Sequence, residues 1–157
     1  MRIDVTKEAV ASESLYDYFS GRPASVCTVH SWHPPDSKAY FTHLLYIPQN
    51  GRRSHVDLIV QIGLVLYLIE VKDCLAHSYQ DVEKLRGIVR DFPTEALVRR
   101  FRQQGLTFSR IPRETRIAVA ALEEDQTFLN MHPDIPALLA DENGIRSANE
   151  AGKQLLL

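Results

Sequence analysis

In the stretch VLYLIEVKDC, residues 65 to 74, two opposite charges stand among Val, Leu, Tyr and Ile. Glu70 and Lys72 are two residues apart, so in an extended strand both side chains leave the same face. A charge buried in apolar surroundings without a partner costs roughly several kcal/mol, and such groups pair, shift their pKa or bind a metal. Asp57 supplies a second carboxylate upstream, because a hairpin turning near Gly63 brings it level with Glu70 on the neighbouring strand. Two carboxylates and an ammonium at one point suit metal-assisted hydrolysis of a phosphodiester. Hard carboxylate oxygens hold Mg2+ or Mn2+, and the ion polarises a phosphoryl oxygen and acidifies a bound water. Lys72 would position that water or offset charge on the transition state.

The elements that must hold these groups follow from periodicity. Residues 5 to 19 have helical spacing, with Val5, Ala11, Leu15, Tyr18 and Phe19 on one face and Gly21 and Pro23 as the stop. Glu8 falls in the middle of that apolar face and is the odd residue there. Two β-type runs follow, 24 to 32 and 39 to 47, separated by the Pro-rich loop 33 to 38. After the Asn-Gly turn of 48 to 54, residues 55 to 62 and 64 to 72 read as a tight hairpin around Gly63. Both strands are apolar on both faces, as expected for the middle of a sheet covered by helices. Residues 78 to 90 open with a Ser-x-x-Asp cap and carry Val82, Leu85, Val89 and then Phe92 on one helical face, with Gln80 and Lys84 on another. Pro93 breaks this helix, Thr94 caps the next, and Gly105 ends it. Residues 116 to 122 form a further buried strand. The tail shows turns around Pro133, Pro136 and Gly144, then a Ser147 to Glu150 capping box that starts a short helix whose LLL end docks on the core or on another subunit. The expectation is α/β: a mixed β-sheet flanked by helices on both faces.

Asp57, twelve intervening residues and then Glu70-Val71-Lys72 resemble the core of the PD-(D/E)XK nuclease superfamily. The resemblance covers about residues 5 to 122 of a single domain, 1 to 157, leaving 123 to 157 as a C-terminal extension. It implies a restriction-endonuclease-like fold and metal-dependent cleavage of nucleic acid, of DNA before RNA. Carried over residue by residue, Asp57, Glu70 and the main-chain carbonyl of Val71 would be ligands for Mg2+ or Mn2+, and Lys72 the catalytic lysine. Lys84 and Gln80 take the place of the polar residue that many relatives supply from the following helix, and Glu8 that of an acid some supply from the first helix. Val56 stands where the family has Pro, a departure that leaves the ligand in place. The literal Pro-Asp pairs at 35–36 and 133–134 have no matching strand behind them and read as turns.

With 157 residues, 45% hydrophobic and 24% charged, the chain has the composition of one domain with a real core. The net charge of −2 excludes a uniformly basic nucleic-acid binder. Between residues 86 and 116, however, eight Arg face three acidic residues, a local +5 that leaves −7 elsewhere. Arg99, Arg100 and Arg102, with Arg52 and Arg53 ahead of the Asp57 strand, are the candidate phosphate contacts. Cys27 and Cys74 have neither metal nor disulfide-scaffold spacing and read as reduced packing residues. His30, His33, His43 and His55 lack the pairs of a structural zinc site, and His55 reads as a strand-end residue beside Asp57. Trp32, Tyr40 and Phe41 read as packing residues. No membrane-spanning run or secretory leader is apparent, so a cytoplasmic location is expected; a homodimer would suit paired cuts on a duplex. The rival reading is the same fold without turnover, binding nucleic acid or a protein partner.

Overall fold

Strand alternation divides the molecule into two cores on either side of one sheet. In the computed structural model, which describes residues 4–33 and 45–156, the even residues Leu66 and Leu68 face one helical layer and the odd residues Tyr67, Ile69 and Val71 face the other. The elements are α1 (Val5–Ser20), β1 (Cys27–Trp32), β2 (Tyr46–Gln49), β3 (Arg52–His55), β4 (Leu58–Ile62), β5 (Val65–Cys74), α2 (Tyr79–Asp91), α3 (Thr94–Gln103), β6 (Glu114–Glu123), α4 (Gln126–Met131), β7 (Ala137–Asp141) and β8 (Gly144–Ser147). Short 3₁₀ turns lie at Leu75–His77 and Ala151–Leu155. Most of the 33–38 loop and of the expected strand over 39–47, with Pro35-Asp36, Tyr40, Phe41 and His43, lies outside the described residues.

The main sheet runs β1-β4-β5-β6-β7-β8. Pairing is antiparallel through β1, β4 and β5, parallel from β5 to β6 and from β6 to β7, and antiparallel again at β8. Ala11, Leu15 and Phe19 of α1 cover one face, and Leu85 and Ile88 of α2 with Leu97 and Phe101 of α3 cover the other. The chain is therefore α/β, with a mixed sheet between helices, and no helix among the described residues is long and apolar enough to cross a membrane.

The β4–β5 hairpin closes through a two-residue turn, Gly63 and Leu64, with Ile62 opposite Val65. Gly63 sits at φ 59°, where a side chain is disfavoured. This fixes the register that sets Leu58 opposite Ile69, so Asp57 comes level with Glu70. The Asn-Gly signal also forms its hairpin: Asn50 and Gly51 have φ of 51° and 74°, and join β2 to β3 in a separate two-stranded sheet. His55 ends β3 and Asp57 precedes β4, so the single strand expected over 55 to 62 is broken at the candidate ligand.

The extension departs most from the expectation of turns and a helix. It contributes β7 and β8 to the same sheet, with Val119 opposite Ala137 and Leu138 opposite Ser147. Four of the five β7 residues are buried, so the strand shows no alternation. Ser147 ends β8 rather than capping a helix. Asn149 holds the following turn, accepting from Ala137 N at 3.1 Å and Gly152 N at 2.8 Å and donating to the Ile135 carbonyl at 2.7 Å. The terminal Leu155 docks on the α1 side of the core.

Candidate active site

Glu70 is the inward-pointing charge that the sequence poses as a problem. It lies in β5 at 4% exposure, and its partner comes from α2: Lys84 Nζ donates to Glu70 Oε1 at 2.5 Å and to the His55 carbonyl at 2.8 Å. Three residues earlier on the same helix, Asp81 Oδ2 stands 3.6 Å from Lys72 Nζ. Strand period two and helix period 3.6 meet here: residues 70 and 72 share a strand face, 81 and 84 a helix face, and the charges pair crosswise.

Asp57 completes the floor. Its Oδ2 accepts from Val71 N at 2.9 Å, and its own carbonyl accepts from His33 N at 2.7 Å. The Asp57 side chain also lies close enough to Glu70 to repel its charge. Burial first, and Asp57 second, push the Glu70 carboxyl well above the usual carboxylate range, although Lys84 draws it back. Glu8 enters from the first turn of α1, one turn before Ala11 and Ser12. Burial lifts its pKa to about 7, with Lys72 opposing and Asp57, Asp73 and Asp81 adding repulsion. Burial also lifts Asp81 to about 6, against the pull of Lys72. Burial disfavours the charged form of Lys72, yet Asp81, Glu8, Asp57 and Glu70 together hold its pKa above the ordinary lysine value.

The terminus of α1 is tied to the same end of β5. Asp4 N donates to Asp73 Oδ2 at 2.7 Å, and Asp4 caps α1 by accepting from Thr6 N and Lys7 N. Asp73 Oδ1 also meets His77 Nδ1 at 2.6 Å. These bonds account for Asp73, whose carboxyl is held below its ordinary range despite burial.

Comparison with protein-family models, curated proteins and solved structures finds no match to this chain. The functional reading therefore rests on the residues themselves.

Of the sequence-expected site residues, the structure gathers Asp57, Glu70, Lys72 and Lys84, and places Val71 beside them through its N–H. Gln80 is exposed and points away; its neighbour Asp81 takes the inward position. Asp81 is the residue sequence reasoning missed, because Ser78-x-x-Asp81 reads as a capping box. Ser78 makes no such cap bond, and among the described residues its buried Oγ and Asp81 Oδ2 have no hydrogen-bond partner. Glu8 shares the electrostatic field of the cluster, but among the described residues no three Asp, Glu, His or Cys side chains are gathered closely enough to hold an ion.

The arginines do not form one patch. Arg53 and Arg100 line a pocket of about 250 Å3 with Tyr46 and Gln104, where Gln104 bonds both the N–H and the carbonyl of Tyr46. Arg99 and Arg102 line another of about 250 Å3 with Glu95 and Ile111, and Arg52 is exposed on the β2–β3 hairpin. The remaining side chains have packing roles. Trp32 stacks on Tyr16 at 4.2 Å and donates to Ser12 Oγ at 2.8 Å. His30 bonds Gln61 at 2.8 Å. Cys27 and Cys74 are both free thiols, and burial lifts the Cys27 pKa to about 11. His55 is half-buried and meets His33 edge-on at 3.9 Å.

Proposed function

We propose that the chain is a divalent-metal-dependent phosphodiesterase, a nuclease acting on DNA, built on a restriction-endonuclease-like fold. The observation that carries the reading is the meeting of Asp57, Glu70 and Lys72 at one end of the central hairpin, with Asp81 Oδ2 beside them, 3.6 Å from Lys72 Nζ. The order of helix, three antiparallel strands, helices and parallel strand supports the fold reading.

The donor chemistry suits a hard dication. Glu8, Asp57 and Asp81 lie in one another's field and Glu70 in that of Asp57, with Lys72 and Lys84 against them, and burial raises Glu8, Glu70 and Asp81. A charge of about two less negative would relieve that repulsion. Asp57 and Glu70, with the carbonyl of Val71, would hold Mg2+ or Mn2+, which when bound polarises a phosphoryl oxygen and lowers the pKa of water. Lys72 then orients the attacking water and offsets charge on the phosphate, while Asp81 holds the Lys72 ammonium in place. Lys84 opposes the rise of the Glu70 pKa and aligns its carboxyl. Arg53 and Arg100, paired in one pocket, are the first candidates for the phosphates of the bound strand.

A second reading has its own support. Glu70 and Asp81 already have internal cations in Lys84 and Lys72, so the same fold could bind nucleic acid without turnover. Cleavage of plasmid and single-stranded substrates with Mg2+ or Mn2+, together with calorimetric titration of either ion, separates the two. The nuclease reading expects cleavage that Asp57→Ala and Lys72→Ala abolish, and ion binding that Glu70→Gln weakens. Cleavage that persists in both variants, or salt-dependent DNA binding indifferent to the metal and to these carboxylates, refutes it.

A further inference from the structure

A further cavity, of about 610 Å3, opens between α2, the start of β6 and residues 134–136 ahead of β7, away from the carboxylates. Its floor is aliphatic: Val89, Ile117 and Ile135 lie where two parts of the α2-side core meet. Its rim carries three guanidinium groups, those of Arg86, Arg90 and Arg116, and one carboxylate, that of Asp134. Three guanidinium groups over an apolar floor suit a ligand with two chemistries.

The carboxylate partners of these guanidinium groups are all exposed, and Arg116 Nη1 also donates to the Tyr67 hydroxyl at 3.5 Å and to Gln154 Oε1 at 3.4 Å. Arg86 pairs with Asp134 at 3.8 Å, Arg90 with its neighbour Asp91 at 3.0 Å, and Arg116 with Glu114 at 2.9 Å. In every pair both side chains are more than two-fifths exposed, and such ion pairs contribute about 0–1 kcal/mol. An incoming phosphate can replace them at little cost. All three cations are Arg, whose planar fork grips phosphate oxygens in pairs and whose face stacks on rings.

We infer that this cavity binds a nucleotide, with its phosphate on Arg86 and Arg116 and its ring over Val89, Ile117 and Ile135. Bare phosphate would leave the aliphatic floor wet, and a bare ring would leave the guanidinium groups unaddressed. The volume falls within the range of about 300–1,000 Å3 usual for small-molecule sites. The site is separate from the candidate active site: it uses Thr115 to Ile117 at the start of β6, whereas Glu70 and Lys72 lie opposite Val119 and Ala121 further along. It does not depend on the nuclease reading.

The test is calorimetry and NMR titration of the full chain without divalent ions, using a nucleoside monophosphate, the matching nucleoside, inorganic phosphate and a short single-stranded oligonucleotide. Saturable binding of the monophosphate is expected, with the nucleoside and inorganic phosphate each weaker by at least about tenfold. Arg86→Gln and Arg116→Gln should each weaken the monophosphate by about tenfold while Arg22→Gln, at the end of α1, leaves it unchanged. Thermal melts confirm that these surface variants fold. An oligonucleotide that competes with the monophosphate identifies a strand as the source of the nucleotide, and one that does not identifies the free nucleotide. Absence of saturable monophosphate binding, binding untouched by both Arg variants, or inorganic phosphate binding as tightly as the monophosphate overturns the inference.

Discussion

Replacing Lys84 by Met removes the ammonium from Glu70 while keeping the length of an aliphatic stem. Glu70 is 4% exposed and receives Lys84 Nζ at 2.5 Å, so the variant leaves a buried carboxyl facing Asp57 without its hydrogen-bonded ammonium. Breaking a buried pair from one side costs about 3–5 kcal/mol. The cost here is smaller for two reasons. The Lys84 side chain is 28% exposed, and Glu70 can take up a proton instead of remaining charged. A loss of about 2–3 kcal/mol near pH 8 is expected. Its pH dependence is the sharper signature. The folded pKa of Glu70 is already raised above the ordinary 4.5, so the folded chain holds a proton that the unfolded chain releases. Stability from this source is full below 4.5 and falls as pH rises through the folded value. Without Lys84 the folded value rises further, so the deficit relative to the parent chain should be small near about pH 5 and grow towards about pH 8. Urea unfolding at both pH values measures it, with Glu70→Gln/Lys84→Met recovering most of the loss because no buried charge is left. A deficit that is flat with pH, or a double variant no better than Lys84→Met, would refute the account of Glu70 as a buried carboxyl held by one lysine.

Glu8→Gln should flatten the stability profile between about pH 4.5 and 7, because the protonated Glu8 favours the fold below that window and its benefit is lost as pH rises through about 7; carboxyl NMR titration checks the value directly. In Asp81→Asn, the Lys72 ammonium loses the largest of the influences holding its pKa up, so a lower Lys72 pKa is expected by lysine-selective NMR. Gly152→Ala would set a Cβ 2.3 Å from the Ala137 carbonyl oxygen, and a loss of about 1–3 kcal/mol is expected by denaturant titration. Gly87→Ala, inside α2, meets nothing closer than 3.6 Å and should instead stabilise by about 0.5–1 kcal/mol.

Several parts of this architecture were legible before any coordinates. Two charges two residues apart in an apolar run announce a shared face, and they take their partners from one helix. The Asn-Gly dipeptide announced the β2–β3 turn because a turn with two positive φ angles favours those residues. Glu8 stood out on the apolar stripe of α1 and is indeed a half-buried carboxyl with a raised pKa. The Asp81 error shows the limit. A helix turns about 100° per residue, so a small misjudgement of how α2 meets the sheet exchanges Gln80 for Asp81. The Ser-x-x-Asp pattern supplied a local explanation that the fold does not use. The β7 strand escaped notice because a short segment buried on both faces has no period to read.

The chain by itself determined the local matters: which segments coil or extend, where Gly63 and Asn50-Gly51 reverse it, and that Glu70 and Lys72 leave one face together. These depend on backbone sterics and periods of two and 3.6, which act over a few residues. Only the tertiary structure decided that Lys84 pairs with Glu70 and Asp81 with Lys72, that the tail joins the sheet beside β6, and that three arginines ring an aliphatic cavity. Each of those depends on contacts between residues distant in sequence. Such contacts are set by how whole elements pack to bury apolar surface, which no local spacing encodes.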